Sequence, residues 1–177
     1  SGGDFRPEHA QRLARQVPGL VCLSDVPVPG VATRALQHGW PGWWSKMNAF
    51  SPNVVQGDVL LIDLDTLVLR MPALPAVTTV LPDFYRTELM GSGFMYLTAA
   101  DRARCWAEWI KAPADHMRRC RTRQCWGDQG FLQPLIGAAA RWGANVVSWK
   151  VHCKAGIPQG ADVVCFHGRP RPWEIGL

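Results

Sequence analysis

The chain lacks several things that would have fixed its class at once. No C-x-x-C pair occurs among its six cysteines, Cys22, Cys105, Cys120, Cys125, Cys153 and Cys165. Cys120 and Cys125 are the nearest pair, and no second pair matches them, which argues against structural zinc. No apolar run reaches the length of a membrane span, so no membrane role is expected. No secretory leader pattern is present, so the reading is a cytoplasmic protein with reduced thiols. Repeats and low-complexity linkers are absent too, and nothing in the composition suggests disorder. Acid is scarcer than base: 14 Asp and Glu stand against 19 Lys and Arg, for a net charge of +5 and a pI of about 9.1. Such a balance suits polyanionic partners: diphosphates, nucleic acid or anionic membrane surfaces.

What is present describes one domain. The 177 residues are 47% hydrophobic and 19% charged, enough to bury a core. Nine tryptophans are unusual for this length. They read either as a Trp-rich core or as a surface for rings and sugars. Pro7 to Val17 reads as a helix, with Pro7 in its first turn and Ala10, Leu13, Ala14 and Val17 at helical spacing. Leu20–Leu23, Asp58–Ile62, Phe94–Leu97, Val146–Trp149 and Val163–Phe166 read as strands. Ala99–Ile110 and Asp128–Ala140 read as helices, with Pro134 tolerated in the first turns of the latter. A short helix is expected through Phe50. Gly91-Ser92-Gly93 reads as a turn. Alternating strands and helices give an α/β class. The apolar run Val59–Ile62 reads as a strand buried on both faces.

That strand ends in Asp63-Leu64-Asp65-Thr66. Two carboxylates one residue apart can face a common hard cation, Mg²⁺ or Mn²⁺. The bland alternative is a solvated strand end. His167 follows the last apolar run and precedes Gly168, where a backbone can approach closely. A neutral imidazole suits Mn²⁺, although a lone histidine is more often structural. Arg169-Pro170-Arg171-Pro172-Trp173 then adds two arginines on a proline-stiffened segment, a pattern suited to phosphates.

Asp63-Leu64-Asp65-Thr66 together with Phe166-His167-Gly168-Arg169-Pro170-Arg171-Pro172-Trp173 resembles the GT-A nucleotide-sugar glycosyltransferases. The nearest are the retaining glycogenin and bacterial galactosyltransferase group, and the compact members of phages and bacteria in particular. The resemblance implies a mixed, mostly parallel sheet flanked by helices, in one domain over residues 1–177. It implies Mn²⁺ (or Mg²⁺) on Asp63, Asp65 and His167, and a nucleotide-diphosphate sugar, UDP-linked, as donor. Arg171 would take the diphosphate, with Gly168, Arg169, Trp173 and Lys46 beside it. Lys46 comes from Gly42-Trp43-Trp44-Ser45-Lys46, which is similar to a donor-contacting region. Gly91, Ser92 and Gly93 would surround the donor sugar. Asp128 and Gln129 resemble the Asp-Gln pair beside the reacting carbon, although Asp128 also reads as a helix N-cap. The sequence departs from the group in three respects, one of them a length shorter than most of its members, without their C-terminal membrane-binding extension. The spacing from His167 to Trp173 is short, and the first strand of a GT-A fold is missing, so that Gly2-Gly3-Asp4 would be the loop following it.

The acceptor reads as a glycan, a small molecule or a hydroxymethylated base in phage DNA, flipped out of its duplex. For a DNA acceptor, Arg118, Arg119, Arg121 and Arg123 are the candidate contacts; otherwise they form a solvated basic loop. Two rival readings remain. Leu61–Val68 also resembles the first motif of haloacid-dehalogenase-type phosphatases, with Asp63 as nucleophile, though that reading leaves His167 and the Arg-Pro-Trp segment without a role. Positive charge with many tryptophans also fits a non-enzymatic nucleic-acid-binding domain.

Overall fold

The computed structural model describes residues 5–177, so the expected loop at Gly2-Gly3-Asp4 lies outside the described residues. The class is α/β with mixed sheets. Within it the chain forms two compact units. The first comprises residues 5–35, Ile62–Leu74 and Trp142–Leu177; the second comprises Leu36–Leu61 and Pro75–Arg141.

In the first unit, helix α1 (Pro7–Gln16) starts where predicted, with Pro7 inside the first turn. Its apolar side buries Ala10 and Leu13, and Ala10 packs with Cys22, Val28, Val31 and Leu64. The short strands β1 (Val21–Ser24) and β2 (Ala32–Ala35) pair in parallel.

Further along the chain come β3 (Val59–Ile62) and β4 (Thr66–Val68), separated by the Asp63–Asp65 turn. Strand β4 joins β8 (Val146–Ser148) and β9 (Val163–Cys165) in the order β4-β9-β8. The β4–β9 pair is antiparallel and the β8–β9 pair parallel. Leu67, Val147, Val164 and Phe166 form the core beneath this sheet, with Trp149 stacked on Phe166.

In the second unit, β5 (Thr79–Pro82), β6 (Met90–Leu97) and β7 (Ala140–Arg141) join β3 in the order β3-β6-β5-β7. Strand β5 runs antiparallel to β6 and parallel to β7. The sheets are therefore mixed, not mostly parallel. Against this sheet pack the 3-10 segment Gly42–Phe50, α2 (Ala99–Trp109) and α4 (Gly127–Ile136). Helix α3 (Pro113–Arg119) contributes Met117 to the same core. Trp44, Met47, Phe50, Met95, Trp109, Phe131 and Leu132 are its large members. Asp58 fixes the start of α2, accepting hydrogen bonds from Ala99 N (2.8 Å) and the Tyr96 hydroxyl (2.8 Å). The backbone hydrogen bond from Ala99 is the main reason its carboxyl titrates below the ordinary range.

Three local expectations are corrected. Strand β3 lies at the edge of its sheet and all four of its residues are half-buried, so an apolar run does not by itself mean burial on both faces. Gly91-Ser92-Gly93 is no turn: it lies inside β6, and a Cβ at Gly91 would stand only 3.2 Å from Leu81 Cβ. The helix expected to reach Ala140 ends at Ile136, with Pro134 near its end. Ala140 and Arg141 instead pair with Thr79 and Val80, a non-local contact that helical periodicity cannot reveal.

Candidate functional site

The first unit holds the carboxylate turn. Thr66 N donates to Asp63 O at 3.0 Å, closing a four-residue turn that carries both acids into β4. Pairing of Thr66 with Cys165 places this turn and His167 at the same end of one strand pair. Asp65 is buried, and its Oδ2 accepts from Arg171 Nη1. The charges of Asp63 and Asp65 both reach Cys165, whose thiol is raised chiefly by burial and further by the two acids.

Sequence reasoning missed the groups that hold this turn. Helix α1 carries a polar stripe, His9, Arg12 and Gln16, at spacings of three and four. Arg12 Nη2 donates to Leu64 O and Thr66 O, each at 2.8 Å. Gln16 Oε1 accepts from Val68 N at 3.0 Å. His9 stacks on Trp173 with centroids 3.6 Å apart and planes 9° from parallel. Its Nδ1 accepts from Arg6 N at 3.0 Å, and burial above all lowers its pKa from 6.5. The stripe was legible as three polar residues on one helical face, overlooked because the apolar set beside it explained the helix.

The C-terminal segment closes on the same helix. Arg171 stands over the Phe5 ring at 5.1 Å, and Arg12 over Trp173 at 5.9 Å. Arg169 is ion-paired with Glu174, whose Oε2 also accepts from Arg171 N at 2.8 Å. Gly168 takes φ +81°, a conformation that favours glycine, and a Cβ there would lie 3.3 Å from Lys150 Nζ. His167 Nε2 shares a 2.7 Å hydrogen bond with Ser148 Oγ.

Asp63 and Asp65 supply the hard oxygens that a divalent cation requires, and the Arg171 guanidinium already places positive charge on Asp65. Among the described residues, no three His, Cys, Asp or Glu side chains are gathered into a metal cage. Beside this turn, the buried Arg12 Nε and Nη1 and Arg171 Nε have no acceptor among the described residues.

The second unit brings together residues that lie far apart in the chain. Lys46 Nζ donates to Ser92 O at 3.0 Å and Ser92 Oγ at 3.3 Å, and lies 3.0 Å from Asp128 Oδ2. Lys46 comes from the 3-10 segment, Ser92 from β6 and Asp128 from the first turn of α4. Asp128 is not the N-cap, a position held by Trp126; its carboxylate benefits instead from the helix N-terminus and the ammonium. Asp128 Oδ2 is buried and, although close to Lys46, accepts no well-aligned hydrogen bond.

Gln129 points elsewhere, donating to Asp83 Oδ2 at 3.1 Å. Asp83 also accepts from Tyr85 N and Arg86 N, each at 2.9 Å. Burial pushes its carboxyl up, but these bonds and Arg86 together outweigh that and hold it below the ordinary range. Gly91 and Gly93 flank Ser92 within the strand.

No protein-family profile matches the chain, and comparison with curated proteins finds no significant match.

Proposed function

We propose that the chain is a metal-dependent glycosyltransferase that moves a sugar from a nucleotide-diphosphate donor to an acceptor hydroxyl. The observation that carries this reading is the contact of Asp65 with Arg171, a carboxylate and a guanidinium 106 residues apart, on a turn clamped by Arg12. A carboxylate pair and a basic segment are the two parts that a diphosphate leaving group calls for.

In this reading Asp63, Asp65 and His167 would be the residues to hold Mn²⁺ or Mg²⁺, and the ion would supply positive charge for a diphosphate. Arg171, released from Asp65, turns to phosphate oxygens, as does Arg12 with its unpartnered donors. Arg169 stays with Glu174 until the donor competes for it. By the resemblance alone, Lys46, Ser92 and Asp128, gathered within the second unit, would serve the sugar and the acceptor. The acceptor oxygen forms the new bond to the anomeric carbon, the bond from that carbon to the diphosphate oxygen breaks, and the acceptor proton leaves with the nucleoside diphosphate. No protein nucleophile is needed, and retention of configuration follows the resemblance. UDP-linked sugars are the first donors to try.

The test is donor hydrolysis. The protein is incubated with Mn²⁺ and a panel of nucleotide-sugars, and nucleotide release is followed beside Asp65→Ala. Release from one donor, abolished by Asp65→Ala and by chelation, is the expected result. Absence of release, with metal-dependent cleavage of a generic phosphate ester, would refute this reading in favour of the phosphatase.

A further inference from the structure

Most of the nine tryptophans are buried or half-buried, but Trp43 and Trp126 are 50% and 53% exposed and stand together, with centroids 5.8 Å apart. Exposed aromatic area of this size keeps apolar surface in water, at a cost that a covering ligand would remove. Trp126 belongs to a small hairpin. Thr122 and Cys125 exchange backbone hydrogen bonds of 3.1 and 3.2 Å, which leaves Arg123-Gln124 at the tip. The next pair outward is Arg121 with Trp126, and Gly127 N donates to Cys120 O at 2.9 Å below it. Residues directly opposite in an antiparallel pair project from the same face, so the Arg121 guanidinium and the Trp126 indole share one side.

The hairpin is held at its tip by Arg86 and runs directly into α4, next to Asp128. Arg86 Nη1 donates to Arg123 O at 3.0 Å, and Arg86 also faces Asp83, the acceptor for Gln129. Gly127, next to Asp128, lies so close to Trp43 that a Cβ there would be 2.9 Å from its Nε1. Aromatic faces interleaved with arginines at an exposed edge match the chemistry of an unpaired nucleic-acid strand. Its bases stack on the rings and its phosphates meet the guanidinium groups. A neutral sugar would use the rings but leave Arg121 and Arg123 without purpose.

We propose that Trp43, Trp126, Arg121 and Arg123 form a binding surface for single-stranded nucleic acid. As an acceptor site it rests on the transferase reading of Lys46 and Asp128; as a binding surface it does not.

The test is fluorescence anisotropy of a labelled twelve-nucleotide oligothymidylate and of the matching oligouridylate, with unlabelled maltohexaose as the neutral competitor. The two strands distinguish DNA from RNA, and binding of either supports the surface. Trp126→Ala is expected to weaken binding about tenfold or more, and Trp126→Phe to retain it. The double variant Arg121→Ala/Arg123→Ala, altered only at exposed side chains, is expected to lower the slope of log affinity against log salt by about 1.4. No binding of either strand, binding indifferent to all three variants, or displacement by maltohexaose would overturn the proposal. Nucleotide release without strand binding would sink this surface alone; strand binding in the absence of nucleotide release from any donor would sink the transferase alone.

Discussion

Replacing Lys46 with methionine tests the second unit at its most charged point. The side chains of Lys46 and Asp128 are only 10% and 9% exposed, and their charged atoms lie 3.0 Å apart. Methionine keeps the stem of the lysine but removes the ammonium. Asp128 is then a buried carboxylate with no countercharge, and Ser92 O and Oγ lose their donor. Breaking one side of a buried pair costs about 3–5 kcal/mol. For a chain of this size, roughly 2–4 °C of midpoint per kcal/mol translates that into a fall of roughly 6–20 °C. Adding Asp128→Asn should restore a large part, because the amide needs no countercharge. The assay is thermal and urea unfolding of wild type, both single variants and the double, arranged as a cycle. A Lys46→Met protein that melts with wild type, or a double variant no better than the single, would refute the ion pair as the organising contact.

Two further outcomes follow from other positions. His9 titrates below 6.5 when folded, chiefly because it is buried, so the unfolded chain takes up that proton first as pH falls. Its stabilising contribution is therefore complete above about pH 6.5 and lost below that value until the folded-state pKa is passed; urea midpoints at pH 7.5 and 5.5 should separate, and less so in His9→Phe, which keeps the ring on Trp173. Gly127→Ala places a Cβ at φ +60° and 2.9 Å from Trp43 Nε1. The backbone alone costs about 1–2 kcal/mol, and tryptophan emission should change as Trp43 is displaced, whereas Trp43→Ala/Gly127→Ala should leave only the backbone share.

Local patterning revealed α1, α2, β1, β3, β8 and β9 to within a residue or two, because apolar spacing and Pro7 are signals written within ten residues. Strands β2, β4, β5 and β7 have two to four residues each and exist through partners elsewhere in the chain, so nothing local announces them. The same distinction divides the site. Asp63 and Asp65 were visible as a pair because they share one turn. Lys46, Ser92 and Asp128 were nominated separately, and nothing in their spacing foretold that one ammonium would reach both others. Arg12 went unseen because a helix with a satisfactory apolar face offers no reason to question the arginine beside it. Trp43 and Trp126 could not be picked out of nine, since exposure is a property of the folded neighbourhood.

Arg12 also has a bearing on engineering. Its guanidinium is buried, titrates below its ordinary value because of that burial, and leaves Nε and Nη1 without acceptors among the described residues. A residue in that condition lowers stability relative to an apolar side chain of similar shape, by an amount set against the two carbonyls it satisfies. Selection of this protein for heat resistance alone would therefore be drawn to position 12, where Arg12→Met or Arg12→Leu removes a buried cation. The same replacement would release Leu64 O and Thr66 O and loosen the turn that aims Asp63 and Asp65. Thermostable descendants should then divide into those that kept Arg12 and can still be assayed for transfer, and those that discarded it and gained robustness by giving up the turn.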